Sequence, residues 1–121
     1  MSVSPSRRQE DADAIHVDLR GWDIVSAADA EWVPWGGNDD ARAKVLGNAD
    51  GYLVMLVEAQ PGYEGTAHVH EHPEFFYLIS GTLRNQGQEM RAGDGYAAAT
   101  GSSHTDFATD TGATYIVVFR I

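Results

Sequence analysis

Gly62-Tyr63-Glu64-Gly65-Thr66-Ala67-His68-Val69-His70-Glu71-His72-Pro73-Glu74 is the stretch on which the reading of this chain turns. His68 and His70 are two positions apart, so on an extended strand both imidazoles leave the same face and can converge on one ion. Pro73 signals a turn, and Glu74 opens the next apolar run, where its carboxylate can close one side of a coordination shell. His104 follows the Gly101 turn and is the candidate for a fourth ligand from a neighbouring strand. A lone His-x-His would fit a surface turn equally well; Glu74, His104 and the flanking glycines are the added constraints. Three imidazoles and a carboxylate suit Fe, Mn, Ni, Zn or Co, because these are borderline-to-hard donors with no thiolate among them.

Outward from this stretch, the chain reads as strands separated by turns. Glu74 to Ile79, Thr66 to His70, Gly51 to Ala59, Tyr96 to Ala99 and Thr114 to Ile121 are expected strands. Pro61-Gly62, Ser80-Gly81, Asn85-Gln86-Gly87 and Thr100-Gly101-Ser102-Ser103 are expected turns. Ile15, Val17 and Leu19 alternate with His16, Asp18 and Arg20 and predict a further half-buried strand, with His16 on its outward face. Trp32-Val33-Pro34-Trp35 suits an edge strand or a turn, because proline cannot donate to a ladder. Gly36 to Asp40 is a loop by composition, and Ala27 to Glu31 has room for one helical turn at most. Turn signals about every ten residues, with no helical period, predict an all-β sandwich or barrel. Residues 1–14 are polar and without period and are expected to form a flexible tail, leaving 15–121 as a single domain.

Composition narrows the function classes. The chain has 121 residues, no cysteine, and eight Lys and Arg against eighteen Asp and Glu, a net charge of −10. The missing thiols exclude disulfides, thiol catalysis and cysteine-containing metal sites. The acidity argues against nucleic acid and against an anionic membrane surface, both of which draw on Lys and Arg. No apolar run approaches the roughly 20 residues that span a bilayer, and no signal-peptide pattern opens the chain, so a cytoplasmic protein is the expectation. Ten of the acids fall in the first fifty residues, where they serve solubility more than site chemistry.

The spacing Gly62-x5-His68-x-His70-x3-Glu74-x6-Gly81 resembles the first motif of the cupin superfamily at every position. The second cupin motif, Gly-x5-Pro-x-Gly-x2-His-x3-Asn, is matched by Gly93, Gly101 and His104, while Ala99 and Ala108 replace its proline and asparagine. The resemblance runs from about Tyr52 to Ile121. It implies an all-β, double-stranded β-helix fold (a jelly-roll-like β-barrel) with one divalent metal (Fe, Mn, Ni or Zn) held by His68, His70, Glu74 and His104. The run Glu74 to Gly81, with Gly93 to Tyr96 and Gly101 to His104, is similar to the cupins related to zinc-binding anti-sigma factors and to small aromatic-ketone and diketone dioxygenases. Trp32 to Trp35 resembles that group less specifically.

About two open positions on an octahedral ion would then accept a substrate with adjacent or 1,3-related oxygens, and the ion would act as a Lewis acid. With iron this predicts dioxygenase chemistry on an aromatic-ketone or β-dicarbonyl small-molecule substrate. With Zn, Ni or Mn it predicts an isomerase, cyclase or lyase. A third class is a non-catalytic metal-binding sensor module, although the residues before Ile15 are too few for the helical domain that a sigma-factor partner would need. Glu74 is either a permanent ligand or a general base. Strand parity puts Phe76 and Leu78 on the Glu74 face. Phe76, Asp106, Tyr52 and Met55 are the candidate pocket residues, with Asp106 a possible acceptor for an imidazole N–H. His72 is read as a rim residue. The resemblance also implies a homodimer, paired through Ile15, Val17, Leu19, Trp32 and Trp35.

Overall fold

Tyr52–Ala59 is rich in β-branched and large apolar residues, and Met55, Val57 and Ala59 turn inward on alternate positions. In the computed structural model, which describes residues 17–121, this segment is a strand in the middle of an all-antiparallel sheet. The strands in chain order are β1 (Val33–Pro34), β2 (Ala41–Ala49), β3 (Tyr52–Ala59), β4 (His68–Val69), β5 (Glu74–Asn85), β6 (Gln88–Arg91), β7 (Gly95–Ala98), β8 (Ser103–His104), β9 (Phe107–Ala108) and β10 (Ala113–Arg120). Among the described residues there is no α-helix. The main sheet runs β1-β2-β3-β10-β5-β6, with β7 and β9 also paired to β5; β4 and β8 form a separate two-stranded ribbon. The all-β, antiparallel architecture expected from the sequence is the one observed.

β5 organises the molecule. Its first half, Glu74 to Tyr77, pairs with β7, while Phe75 to Gly81 pairs with β10. Its second half, Thr82 to Asn85, pairs with β6, and Arg84 and Asn85 also pair with β9. Between the halves, Ser80 faces Thr114 and Leu78 faces Tyr115, which leaves Ile79 as a bulge residue. Gly81 follows at φ 85°. An added Cβ there would overlap the Gly112 carbonyl oxygen and lie 2.9 Å from Ala113 Cα, so only glycine lets the strand bend here. The expectation that Ser80-Gly81 ends the strand is therefore corrected: the glycine bends β5 and the strand continues.

Two further corrections follow from the pairing. β2 was not anticipated, because Ala, Arg, Lys, Gly and Asn are poor strand formers. It forms because Asp50 and Gly51, at φ 53° and 82°, make a tight hairpin onto β3. The strand expected across Ile15 to Leu19 is not seen where it can be examined: Val17 and Leu19 lie in non-strand backbone, 55% and 64% exposed. Ile15, His16 and the expected tail over 1–14 lie outside the described residues. Val33 and Pro34 do form an edge strand, pairing only with β2.

The core lies inside the curl of the sheet. Val57 and Leu78 are fully buried there, each worth about 2 kcal/mol of apolar burial. Phe76, Tyr115, Val117 and Tyr63 extend the core toward the β4–β8 ribbon.

Candidate metal centre

The β4–β8 ribbon brings two distant histidines face to face: His68 and His104 are direct Cα partners. Backbone bonds from His70 N to Ser102 O (2.9 Å) and from Gly101 N to His70 O (2.7 Å) carry the ribbon as far as His70. The three rings stand 4.9–5.4 Å apart, centroid to centroid. Each ring has one nitrogen tied to the protein. His68 Nδ1 is 2.7 Å from the Thr66 carbonyl oxygen, and His70 Nδ1 is 2.9 Å from Ser102 Oγ. His104 Nε2 is 2.6 Å from Asn85 Oδ1. Ser102 Oγ spends its own proton on the Ala99 carbonyl at 2.6 Å, so it accepts from His70.

The remaining nitrogens carry the metal argument. His70 Nε2 and His104 Nδ1 are buried with no hydrogen-bond partner. An unpartnered buried polar atom costs free energy, so such atoms in a native site call for a ligand. One ligating nitrogen from each of His68, His70 and His104 lies within 4.8 Å of the others. Burial lowers the His104 pKa below its ordinary value, with Glu74 pulling the other way, which favours the neutral, ligating imidazole. The donors fit a divalent transition metal, and the three histidines are positioned to bind one.

Glu74 starts β5 beside this cluster but is not part of the three-nitrogen group. Its Oε1 is 3.7 Å from His70 Nε2, and its Oε2 accepts a very short hydrogen bond from the Tyr96 hydroxyl. Tyr96 stacks on Phe76 with ring centroids 4.7 Å apart and planes 7° from parallel. Burial, reinforced by Glu74, pushes the Tyr96 phenol well above its ordinary pKa, so it stays a donor.

His68, His104 and Glu74 open onto a cavity of about 250 Å³. Trp35, Tyr63, Phe76, Tyr96, Phe107 and Tyr115 supply its aromatic wall, and no Lys or Arg is among its lining residues. Of the four pocket residues expected from the sequence, the structure brings only Phe76 to this cavity. Asp106 is held by Arg84 (Nε to Oδ2, 2.9 Å) and by the Gly87 N–H (2.9 Å), and this pairing lowers its pKa. Tyr52 sits at the far end of β3 opposite Arg120, and Met55 is packed in the core, 4% exposed. His72 is exposed and 3.2 Å from Arg120 Nη1, outside the cluster.

Sequence reasoning missed Asn85, Ser102, Tyr96 and most of the aromatic wall. Ala108 leaves the motif without its usual polar residue, yet Asn85 reaches His104 from β5, with β6 and β7 between them in the chain. Tyr96 had a local signal: it is a large aromatic at the start of an otherwise small-residue strand, β7. Asn85 had none, because a turn asparagine has an ordinary explanation.

Fold and histidine cluster together define a cupin. The chain belongs to the ChrR cupin-like domain family, whose model matches residues 21–120. No curated protein matches the sequence. Solved structures do. An acetylacetone dioxygenase from Acinetobacter johnsonii is 15% identical with a TM-score of 0.72, over 88% of this chain and 78% of that one. The polyketide cyclase RemF from Streptomyces resistomycificus is 21% identical with a TM-score of 0.69, over 82% and 79%. The complex of Rhodobacter sphaeroides SigE with the anti-sigma ChrR gives 21% identity and a TM-score of 0.63, over 79% of this chain and 51% of that one. At these identities the likeness is one of fold. Among the described residues no helix is long and apolar enough to cross a membrane.

Proposed function

We propose that this chain is a metal-dependent small-molecule enzyme, a dioxygenase acting on a metal-chelating aromatic-ketone or β-dicarbonyl substrate. His68, His70 and His104 hold the divalent ion, and Glu74 is the carboxylate that serves it. The observation that carries this reading is the pair of orphaned nitrogens, His70 Nε2 and His104 Nδ1, in a histidine cluster whose His68 and His104 line an aromatic cavity without a cationic side chain. Such a cavity favours a flat, largely apolar ligand that meets the ion through its chelating oxygens. A bound ion would supply Lewis acidity toward the chelating oxygens and, as Fe(II), reactivity with dioxygen. The aromatic wall orients the substrate and excludes water. Glu74 Oε1, the oxygen that Tyr96 does not engage, stands ready to take a substrate proton.

The test is oxygen uptake by protein loaded with Fe(II) under argon, on addition of candidate diketones and aromatic hydroxyketones. Turnover that stops without oxygen supports the reading; no turnover with Fe, Mn, Ni or Zn across a broad panel overturns it. Turnover persisting under argon would instead assign an isomerase, cyclase or lyase, a reading favoured by the structural likeness to a polyketide cyclase. A non-catalytic metal sensor is favoured by the family itself and by the likeness to the SigE–ChrR complex. Retention of a regulatory protein partner by a metal-loaded but inert chain would establish it.

The proposal extends to a homodimer. On the outer face of the sheet, Leu56, Ile116 and Tyr77 form one cross-strand row, and Val54, Val118 and Phe75 form the next. Phe75 and Tyr77 are 48% and 52% exposed, an apolar face of the kind that marks an interface.

A further inference from the structure

We propose that Trp35, Tyr63 and Tyr115 form a second recognition point in the aromatic cavity, a cluster of neutral hydrogen-bond donors that takes an oxygen substituent on the end of the substrate remote from its chelating pair. The substrate class narrows accordingly to an aromatic ring oxygenated at both ends, as opposed to a small aliphatic diketone. This rests on the metal-chelating reading above and deepens it, because the histidine cluster accounts for one end of the cavity only.

Three separate segments supply the cluster. Trp35 follows β1; its backbone N–H donates to the Ala41 carbonyl at 3.1 Å, and its ring meets Phe119 edge-on at 5.8 Å. Tyr63 lies in the loop after β3, where its carbonyl accepts from Thr109 N at 3.0 Å. Tyr115 stands on β10, between Val57 of β3 and Leu78 of β5. Both phenols are buried, 6% and 3% exposed, and all three side chains line the cavity. The Tyr63 hydroxyl belongs to the cavity wall: a Cβ added to Gly36, another lining residue, would stand 3.3 Å from its oxygen.

Burial raises the pKa of both phenols, with Asp40 adding to it at Tyr63 and Tyr63 adding to it at Tyr115, so both stay protonated. The Trp35 indole N–H acts on both in the opposite direction, which sets it beside the pair. Tyr115 also lowers the Tyr63 pKa, the pattern of a Tyr115 hydroxyl that donates to Tyr63. Only one proton fits between two phenol oxygens, so the O–H of Tyr63 is left to donate elsewhere, and a buried tyrosine hydroxyl calls for a partner. Phe107 separates this donor from the metal centre: its ring is edge-on to Tyr63 at 6.3 Å and to His104 at 5.5 Å. The span from the histidines to the cluster is thus that of an aromatic ring. With no Lys or Arg lining the cavity and Asp40 acting on Tyr63, the donor suits a neutral hydroxyl or carbonyl oxygen better than a carboxylate.

The experiment measures, by calorimetry on Zn(II)-loaded protein, the binding of benzoylacetone and its para-hydroxy and para-methyl analogues to wild type, Tyr63→Phe and Tyr115→Phe. The three ligands share one chelating head, the methyl analogue controls for size, and Phe keeps each ring in the wall. The expected result is a wild-type preference of about tenfold for the para-hydroxy ligand over both others, falling to within about twofold in Tyr63→Phe, while benzoylacetone binds that variant within about threefold of wild type. Tyr115→Phe, which removes the hydroxyl that orients Tyr63, should reduce the preference in the same direction. Equal or weaker wild-type binding of the para-hydroxy ligand, or a preference that survives in both variants, overturns the proposal and leaves the chelating reading standing. An equal loss of affinity for all three ligands in Tyr63→Phe makes its role one of packing and overturns the proposal too. Wild type that takes up no Zn(II), or takes it up and binds none of the ligands, ends both this proposal and the chelating reading.

Discussion

Asn85 Oδ1 lies 2.6 Å from His104 Nε2 and accepts its N–H, which turns the other ring nitrogen, Nδ1, into the metal cluster. Asn85 closes the β5–β6 hairpin, and its backbone pairs with Phe107 on β9. The side chain that orients the last histidine therefore comes from a turn remote from it in sequence. Replacing Asn85 with Ala removes that acceptor and frees the ring to rotate. We expect a loss of metal affinity of about 10–100-fold, with the fold retained by circular dichroism, measured by metal titration of the chelator-stripped protein.

Burial holds the His104 pKa below its ordinary 6.5 in the folded chain. The unfolded chain then binds a proton that the folded chain refuses. The stability contributed by the neutral ring is fully present above the unfolded value. It is lost progressively as the pH falls through that value toward the lowered folded one. Thermal melting of metal-free protein from about pH 8 to about pH 5 should show a steeper acid loss in wild type than in His104→Asn. Equal slopes would remove His104 from the linkage.

Gly81 and Gly93 both adopt positive φ, 85° and 97°, yet their surroundings differ. A Cβ at Gly81 overlaps the Gly112 carbonyl, whereas a Cβ at Gly93 meets no atom within 4 Å. Gly93→Ala should cost only the backbone strain of about 1–2 kcal/mol. Gly81→Ala should cost about 3–5 kcal/mol or prevent folding, because the bend of β5 and its packing on β10 are both lost. Urea unfolding of the two variants provides the comparison.

Phe75 projects from the outer sheet face, 48% exposed. Phe75→Glu places a charge in the middle of the apolar rows while leaving the inward ring of Phe76 untouched. If that face pairs two copies, light scattering at micromolar concentration should find a dimer for wild type and a monomer for the variant, with metal affinity unchanged. A wild-type monomer removes the dimer.

How much of this was readable in advance differs by element. β3, the start of β5 and β10 carry strong local β signals and pair as their composition demands. β2 and β6 are weak by composition and form because a hairpin turn presents them to a stronger neighbour. The pocket follows the same division. Phe76 obeys strand parity from Glu74 and lines the cavity. Asp106 obeys parity from His104 and yet is captured by Arg84, because a nearby guanidinium competes for a carboxylate more strongly than an imidazole N–H does.

The sequence by itself determined the all-β cupin fold and the three histidines. Their spacing is a local property: residues two apart share a strand face, and glycines mark the bends. Only the tertiary structure decided what surrounds them. The β4–β8 pairing sets His104 against His68, Asn85 arrives from a hairpin to orient it, and Tyr96 crosses from β7 to claim Glu74. Those contacts join residues from separate strands through packing of the curled sheet, and no local pattern of residues encodes which side chain a carboxylate will meet across it.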